Sequence, residues 1–158
     1  MDKNQKTPTQ SDVNMTELVL PQHTNPIGTV FGGVVLSWVD IAAAIAAQRH
    51  CNHVVVTASI DAMNFVAPVK LGWIVNIKAR VNFVHRSSCE VGVNISAESP
   101  IEGKIYRTAT AYVTMVAVDD EGRPVPMTSL TLITDEDQRR FDEAKKRRAY
   151  RLQLRKTN

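Results

Sequence analysis

Between His23 and Ala47 a polar, turn-rich stretch gives way to a nearly unbroken apolar run whose only charge is Asp40. From Val34 to Gln48 there is no Gly or Pro, and the small residues of Ala42–Ala47 favour helix. The pattern predicts a buried helix packed closely on a sheet. Beyond it the spacing changes to period two. Val54–Val66 is rich in β-branched residues, with Val54, Val56, Ala58, Ile60 and Ala62 on one face. Trp73–Val84 predicts a half-buried strand with Trp73, Val75, Ile77, Ala79, Val81 and Phe83 facing one way and Asn76, Lys78, Arg80 and Asn82 the other. Cys89–Glu98 alternates as cleanly, and Lys104–Val118 reads as a long strand. A short apolar entry, Met15–Leu20, reads as an edge strand ended by Pro21. Turns fall at Asn25–Gly28, Pro68–Gly72, His85–Ser88, Glu102–Gly103 and Asp119–Gly122. The charged segment from about Asp135 to Arg155 predicts a terminal helix with a solvated face, Asp142 and Glu143 standing four residues before Lys146 and Arg147.

Short strand, apolar helix, four strands and a polar terminal helix make an α+β chain with an antiparallel sheet, one face of which must be covered. The Ala-rich helix is the cover. A sheet wrapped around one central apolar helix is a hotdog fold, and another α+β roll fits the same pattern. Three segments follow: a loose N-terminal piece over 1–14, a domain over 15–134, and a charged helix and tail over 135–158.

At 158 residues with 44% hydrophobic content, the chain holds one domain with a core that needs no staples. Cys51 and Cys89 predict two core thiols in a reducing compartment rather than a disulfide framework. The polar start has no apolar run behind it and no stretch has membrane-spanning length, so a cytoplasmic location is expected. The net charge of +3 fits a phosphate-bearing ligand without demanding one. The basic tail is interleaved with acids, which argues against nucleic acid. His50, Cys51 and His53 match no strong zinc spacing, so no metal is expected.

The candidate chemistry starts from Asp40. A carboxylate in an apolar helix is expensive unless it is paired or used. It either works as a reacting group, or it is capped by local hydrogen bonds or a subunit seam. Gly32-Gly33 opens the helix, leaving free N–H groups near Gly33 and Val34 that can bind an anion or polarise a carbonyl. Gly32 and Gly33 also admit close approach of another group, or serve the turn alone. Asn25 before Pro26 fits an Asx-turn.

Taken in order, Asn25–Gly33, Asp40, Val55–Phe65, Tyr106–Ala111 and Ala117–Pro126 resemble the bacterial and mammalian acyl-coenzyme A thioesterases of the hotdog superfamily, in particular the cytosolic acyl-CoA hydrolase group. The resemblance runs from about Met15 to Phe141. It implies hydrolysis of acyl-CoA to a free acid and coenzyme A. No cofactor is implied, because coenzyme A is part of the substrate and a product. It also implies an active site between subunits of a homodimer, with hexamers built as trimers of dimers. Asp40 matches the family's catalytic carboxylate, acting as general base or as nucleophile. Asn25 matches a polar partner supplied across the dimer. The mammalian chains carry two hotdog units where this one has a single copy, so self-association must supply both halves.

On that reading the backbone N–H groups of Gly33 and Val34 polarise the thioester carbonyl. Arg86, Ser87 and Ser88 are candidates for the phosphates, as is Arg107, where the family often has a basic residue. Thr57 either lines the pantetheine channel or is only a strand residue. There is no Gly-x-Ser-x-Gly nucleophile elbow. A non-catalytic acyl-CoA-binding regulator on the same fold is the alternative. Less favoured is a hotdog dehydratase, for which His23 is the candidate histidine.

Overall fold

The apolar run forms one long helix, α1 (Gly32–Cys51), in the computed structural model, which describes residues 5–157. Val35, Trp38, Val39, Ala42, Ala43, Ala46, Ala47, His50 and Cys51 are buried, recurring at helical spacing on the face turned to the sheet. Asn52 ends the helix in the left-handed region at φ 56°, its N–H donating to Gln48 O. Lys6 Nζ donates to Arg49 O at 2.6 Å, placing a cation where the last helical carbonyls need donors.

Around α1 curls a five-stranded antiparallel sheet in the order β2 (Val13–Leu18), β4 (Ile74–His85), β5 (Ser88–Ser99), β6 (Lys104–Val118), β3 (Val54–Ile60). This is the hotdog arrangement. Its concave face carries Val75, Ile77, Val81, Val91, Val93, Ile95, Val113, Met115 and Ala117, all fully buried with the helix. Cys51 and Cys89 are buried free thiols.

Three register shifts break the simple alternation, one of them between Ile95 and Ser96, where β6 passes over Thr108. The β4–β5 register shifts between Val81 and Phe83. Val84 therefore packs on the core, opposite Cys89, whereas Phe83 pairs with Glu90 and leaves the inner face. The β3–β6 register shifts between Thr57 and Ser59. Val55 packs against the core and Thr57 faces Met115, while Val54 and Val56 are exposed; beyond the shift Ile60 packs against the core, so the single face expected for Val54, Val56 and Ile60 is split. One inserted residue inverts every side chain beyond it. The strand also stops at Ile60, short of the expected Val66.

The N-terminal expectation is corrected. Met1–Asn4 lie outside the described residues, but from Gln5 the segment is folded rather than loose. β1 (Gln5–Lys6) pairs in parallel with β7 (Ser129–Leu130), and a 3-10 turn spans Pro8–Ser11. Ser11 is fully buried, its hydroxyl accepting from Val81 N–H at 2.9 Å. Asp12 takes a two-point ion pair from Arg80 at 2.5 and 2.6 Å. The strand that follows starts at Val13, two residues earlier than expected.

The terminal helix, α2 (Asp135–Thr157), is not a free solvated rod. Thr134 and Asp137 exchange N-terminal capping bonds, Asp137 N–H to Thr134 Oγ1 and Thr134 N–H to Asp137 Oδ2. The helix lies on the convex face of the sheet, with Ala144 fully buried and the Phe141 ring 5.0 Å from Phe83. Beneath it Glu90, 1% exposed, accepts from Arg147 at 2.7 Å and Arg151 at 3.0 Å. The Arg147 guanidinium stacks 3.6 Å from the Tyr112 ring centroid. Of the two expected side-chain pairs, Glu143–Arg147 forms at 3.9 Å, and Asp142 bonds Gln138 instead.

His50 is fully buried on the last turn of α1, with Nε2 2.7 Å from Thr128 O. A carbonyl only accepts, so Nε2 carries the proton and Nδ1 has no partner among the described residues. Burial pushes this imidazole below its usual value near 6.5, against the pull of the Thr128 carbonyl, and the Lys6 charge lowers it further. The folded ring stays neutral where the unfolded one takes up a proton. The stabilisation His50 brings is therefore complete above about pH 6.5 and is lost as the pH falls through its lower folded value. Melting curves between pH 8 and pH 5 are expected to fall more steeply for the wild type than for His50→Gln. Parallel slopes would refute this assignment.

Candidate active site

Asp40 sits midway along α1, half-buried, beside the row of partly open positions Val34, Ser37, Ile41, Ala44 and Gln48. Its partner comes from the edge strand. Thr57 Oγ1 donates to Asp40 Oδ1 at 2.6 Å. The β3 bulge makes this contact possible by holding Thr57 on the concave face ahead of the register shift. The Met115 sulfur also lies 3.5 Å from Thr57 Oγ1, and the carboxylate is the stronger acceptor for its single proton. Asp40 Oδ2 has no partner among the described residues, which leaves it able to meet water or a substrate.

Asn25 organises the loop before the helix. Its Oδ1 accepts from the N–H groups of Ile27 at 3.2 Å and Thr29 at 3.1 Å, while Nδ2 donates to Thr29 Oγ1 at 2.8 Å. The Asx-turn is thus real, and one amide N–H remains unused among the described residues. No hydrogen bond joins Asn25 to Asp40 among the described residues.

At the start of α1 the expected donor pair needs correction. Val34 N–H is taken by Phe31 O at 3.1 Å, as is that of Val35 at 3.3 Å. Gly32 and Gly33 supply the helix-start N–H groups that lack an acceptor among the described residues. Gly32 is packed by a neighbour: a Cβ there would stand 3.5 Å from the Phe65 ring. A pocket of about 170 Å³, lined by Thr29, Val30, Gly32, Phe65, Pro68 and Val69, adjoins this end.

The predicted phosphate contacts fall into two separate clefts. Arg86, Ser87 and Ser88 line one of about 440 Å³ together with α2 residues. Arg107 lines another with Asn94, Thr110 and Arg139, and its Nη2 donates to Thr110 Oγ1 at 3.1 Å. His23 accepts from Leu20 N–H through Nδ1 and meets the Trp38 ring edge-on at 5.2 Å. Trp38 is two residues from Asp40, roughly 200° around the helix, so His23 lies on the far side of α1 from the carboxylate. Cys51 Sγ points to His53 O at 3.7 Å, and His50 is committed to Thr128.

The Thr57–Asp40 bond and the α2 arginines escaped sequence reasoning. A threonine amid β-branched residues has no distinguishing signal until the bulge sets its direction.

A model of the thioesterase superfamily matches residues 27–104. The chain is 36% identical over 139 residues to the cytosolic acyl coenzyme A thioester hydrolase of Rattus norvegicus, a match covering 87% of this chain and 36% of that protein. It thus spans about a third of the length of the mammalian cytosolic relatives it matches. With the "uncharacterized acyl-CoA thioester hydrolase YkhA" of Bacillus subtilis (strain 168) it shares 38% identity over 81% of this chain and 74% of that one. Among solved structures, an apo-hexameric acyl-CoA thioesterase superposes with TM-score 0.91 at 35% identity, over 96% of this chain and 97% of that one. The acyl-CoA hydrolase of Staphylococcus aureus, in complex with butyryl coenzyme A, coenzyme A and coenzyme A disulfide, superposes with TM-score 0.85 at 34% identity, over 97% and 96% of the two chains. That hydrolase has also been solved as single alanine variants of an asparagine, an aspartate and a threonine, spaced 15 and then 17 residues apart. Fold, sequence and full-length superposition agree: this chain belongs to the thioesterase superfamily, in the acyl-CoA thioester hydrolase family.

Proposed function

We propose that this protein hydrolyses acyl-coenzyme A thioesters to a free acid and coenzyme A, with no cofactor, in the cytoplasm. The observation that carries this reading is the 2.6 Å Thr57–Asp40 pair on an otherwise apolar helix. Asn25, Asp40 and Thr57 repeat the residue types and the 15- and 17-residue spacings of the three positions substituted in the S. aureus hydrolase.

Asp40 Oδ2 takes a proton from water as the water oxygen attacks the thioester carbonyl carbon. The alternative route is direct attack by the carboxylate to give a mixed anhydride that water then opens. Thr57 fixes the rotamer of Asp40 through Oδ1. The oxygen of the carbonyl gains charge and meets the free N–H groups at the start of α1. The carbon–sulfur bond then breaks, and the thiolate leaves and is protonated. Phe65 and its neighbours hold the first carbons of the acyl group in the adjoining pocket.

The catalytic unit in this reading is a homodimer. Gly33 and Asp40 are seven residues apart, about 10 Å along one helix axis, too far to serve a single carbonyl. A second copy brings its own helix start to the first copy's Asp40, and its Asn25 supplies the unused amide N–H to the attacking water. The exposed Ile41 on α1 and the open strand edge beside Val54 and Val56 give such a copy apolar surface to cover. The hexamer is then a trimer of such dimers.

Thiol release from a panel of acyl-CoA thioesters, run beside native mass determination, tests the proposal. Release by a dimer or hexamer supports it. Tight coenzyme A binding with no release from any chain length leaves a ligand-binding regulator.

A further inference from the structure

Arg151, in the second half of α2, divides its guanidinium between two carboxylates. Nη2 donates to Glu90 Oε2 at 3.0 Å and Nη1 to Asp61 Oδ2 at 2.7 Å. Glu90 stands on β5, laddered to strands on both sides, and already accepts from Arg147 at 2.7 Å. The helix therefore has its anchor without Asp61. Asp61 lies just beyond β3, where the β3–β6 ladder stops at Ile60 and Val113. The Asp61 side chain is 23% exposed and that of Arg151 16%. Such a pair gives up hydration and side-chain freedom, which a helix already anchored does not require. What the pair does hold is at its other end.

That end is the segment from Asp61 to Val66. Asp61 N–H donates to Tyr112 O at 3.0 Å and Val66 N–H to Thr108 O at 2.9 Å. Between them, residues 62–65 make no backbone hydrogen bond among the described residues. The segment turns two side chains toward the helix side of the sheet. Met63 packs against the core. Phe65 lies over Gly32, the first residue of α1, where a Cβ would stand 3.5 Å from the ring, and it lines the 170 Å³ pocket. Phe65 is 44% exposed, so burial alone fixes it weakly. Its seat depends on the backbone that carries it. Asp61–Arg151 is the one ion pair on that backbone among the described residues.

We propose that Arg151 is a positioning residue for the reaction. Through Asp61 it holds the segment so that Phe65 stays seated against the start of α1, beside the first carbons of the acyl group. The proposal rests on the thioesterase reading for its substrate. α2, on the convex face, thereby takes part in a site on the concave face, and the end of β3 is the link. Thr57 and Asp61 stand four residues apart on that stretch, the first holding Asp40 and the second held by α2. Arg151 touches no reacting atom.

The test measures butyryl-CoA hydrolysis and amide exchange in Asp61→Asn, Arg151→Ala, Asp61→Glu and Arg147→Ala. Asp61→Asn keeps the shape of the side chain and leaves Glu90 with both arginines. Its KM is expected to rise about tenfold at nearly unchanged kcat, because the lost contact is made alike in the bound substrate and the transition state. Loss of folded protein alone would lower apparent kcat and leave KM where it was. Arg151→Ala is expected to raise KM as far, and the double variant Asp61→Asn/Arg151→Ala no further. Asp61→Glu, which retains the carboxylate, is expected to keep the wild-type KM. Arg147→Ala loosens α2 without touching Asp61, so a lower denaturant midpoint with wild-type KM is expected. Exchange at residues 62–66 is expected to quicken in Asp61→Asn while α1 keeps its protection. An unchanged KM in Asp61→Asn overturns the proposal, whether or not exchange quickens. So does an equal rise of KM in Arg147→Ala, which makes the effect a general loosening of α2. If the wild type cleaves no thioester, the hydrolase reading falls and exchange alone decides. Quickened exchange at 62–66 in Asp61→Asn then keeps the tie, and wild-type exchange overturns it.

Discussion

Asp40→Asn is expected to lower kcat for thiol release by about 10²–10⁴-fold, the range that a positioned acid–base group contributes. The substitution is close to isosteric. Asparagine Oδ1 still accepts from Thr57 at the position now held at 2.6 Å, so the helix–strand contact survives. What is lost is the second oxygen, the one with no partner among the described residues, both as a proton acceptor and as a nucleophile. Coenzyme A binding and the melting temperature are expected to stay near wild type, because Asp40 is half-buried and anchors no element by itself. Measuring kcat, KM and coenzyme A affinity on one preparation separates the outcomes. Turnover within tenfold of wild type would remove Asp40 from the chemistry and leave it as a helix-to-strand tie.

Glu90→Ala is expected to destabilise the fold by about 2–4 kcal/mol, seen as a lower denaturant midpoint. Glu90 is 1% exposed and joins two arginines of α2 to the sheet. Removing it strands those charges where little water reaches them, and breaking one side of a buried pair costs about 3–5 kcal/mol. The lower range allows for Arg147 and Arg151, whose side chains are 22% and 16% exposed and recover some hydration. Arg151 keeps Asp61 and Arg147 keeps its stack on Tyr112. Amide exchange along the second half of α2 is expected to quicken, while α1 keeps its protection. A midpoint equal to wild type would show that Phe141, Phe83 and Ala144, not the ion cluster, hold the helix down.

Where a signal repeats over many residues, the sequence was readable. β5 alternates Cys89, Val91, Val93, Ile95 and Ala97 inward without interruption, and the helix could be placed from the run after Gly33 because nothing in it breaks a helix. The failures are single-residue events. The bulges near Asn82 and Ala58 leave no mark on composition, yet they send Phe83 outward beneath α2 and Thr57 inward to Asp40. The N-terminal residues looked loose because their value lies in partners far along the chain, Ser11 with Val81 and Asp12 with Arg80. α2 looked solvated because its acids and bases also fit local pairs. The competing acceptor, Glu90, sits on a strand that reads as half polar.

The sequence alone determined the layers of this protein, the Ala-rich helix and the sheet around it, because burial periodicity is local and redundant. It also singled out Asp40, since one carboxylate in an apolar run needs a reason to be there. Only the tertiary structure decided what Asp40 touches, which helix-start N–H groups are free, and that Arg86 faces Arg148 and Arg155 across one cleft. Those relations join residues 17 to 69 positions apart, through bulges and a helix crossing that no local pattern encodes.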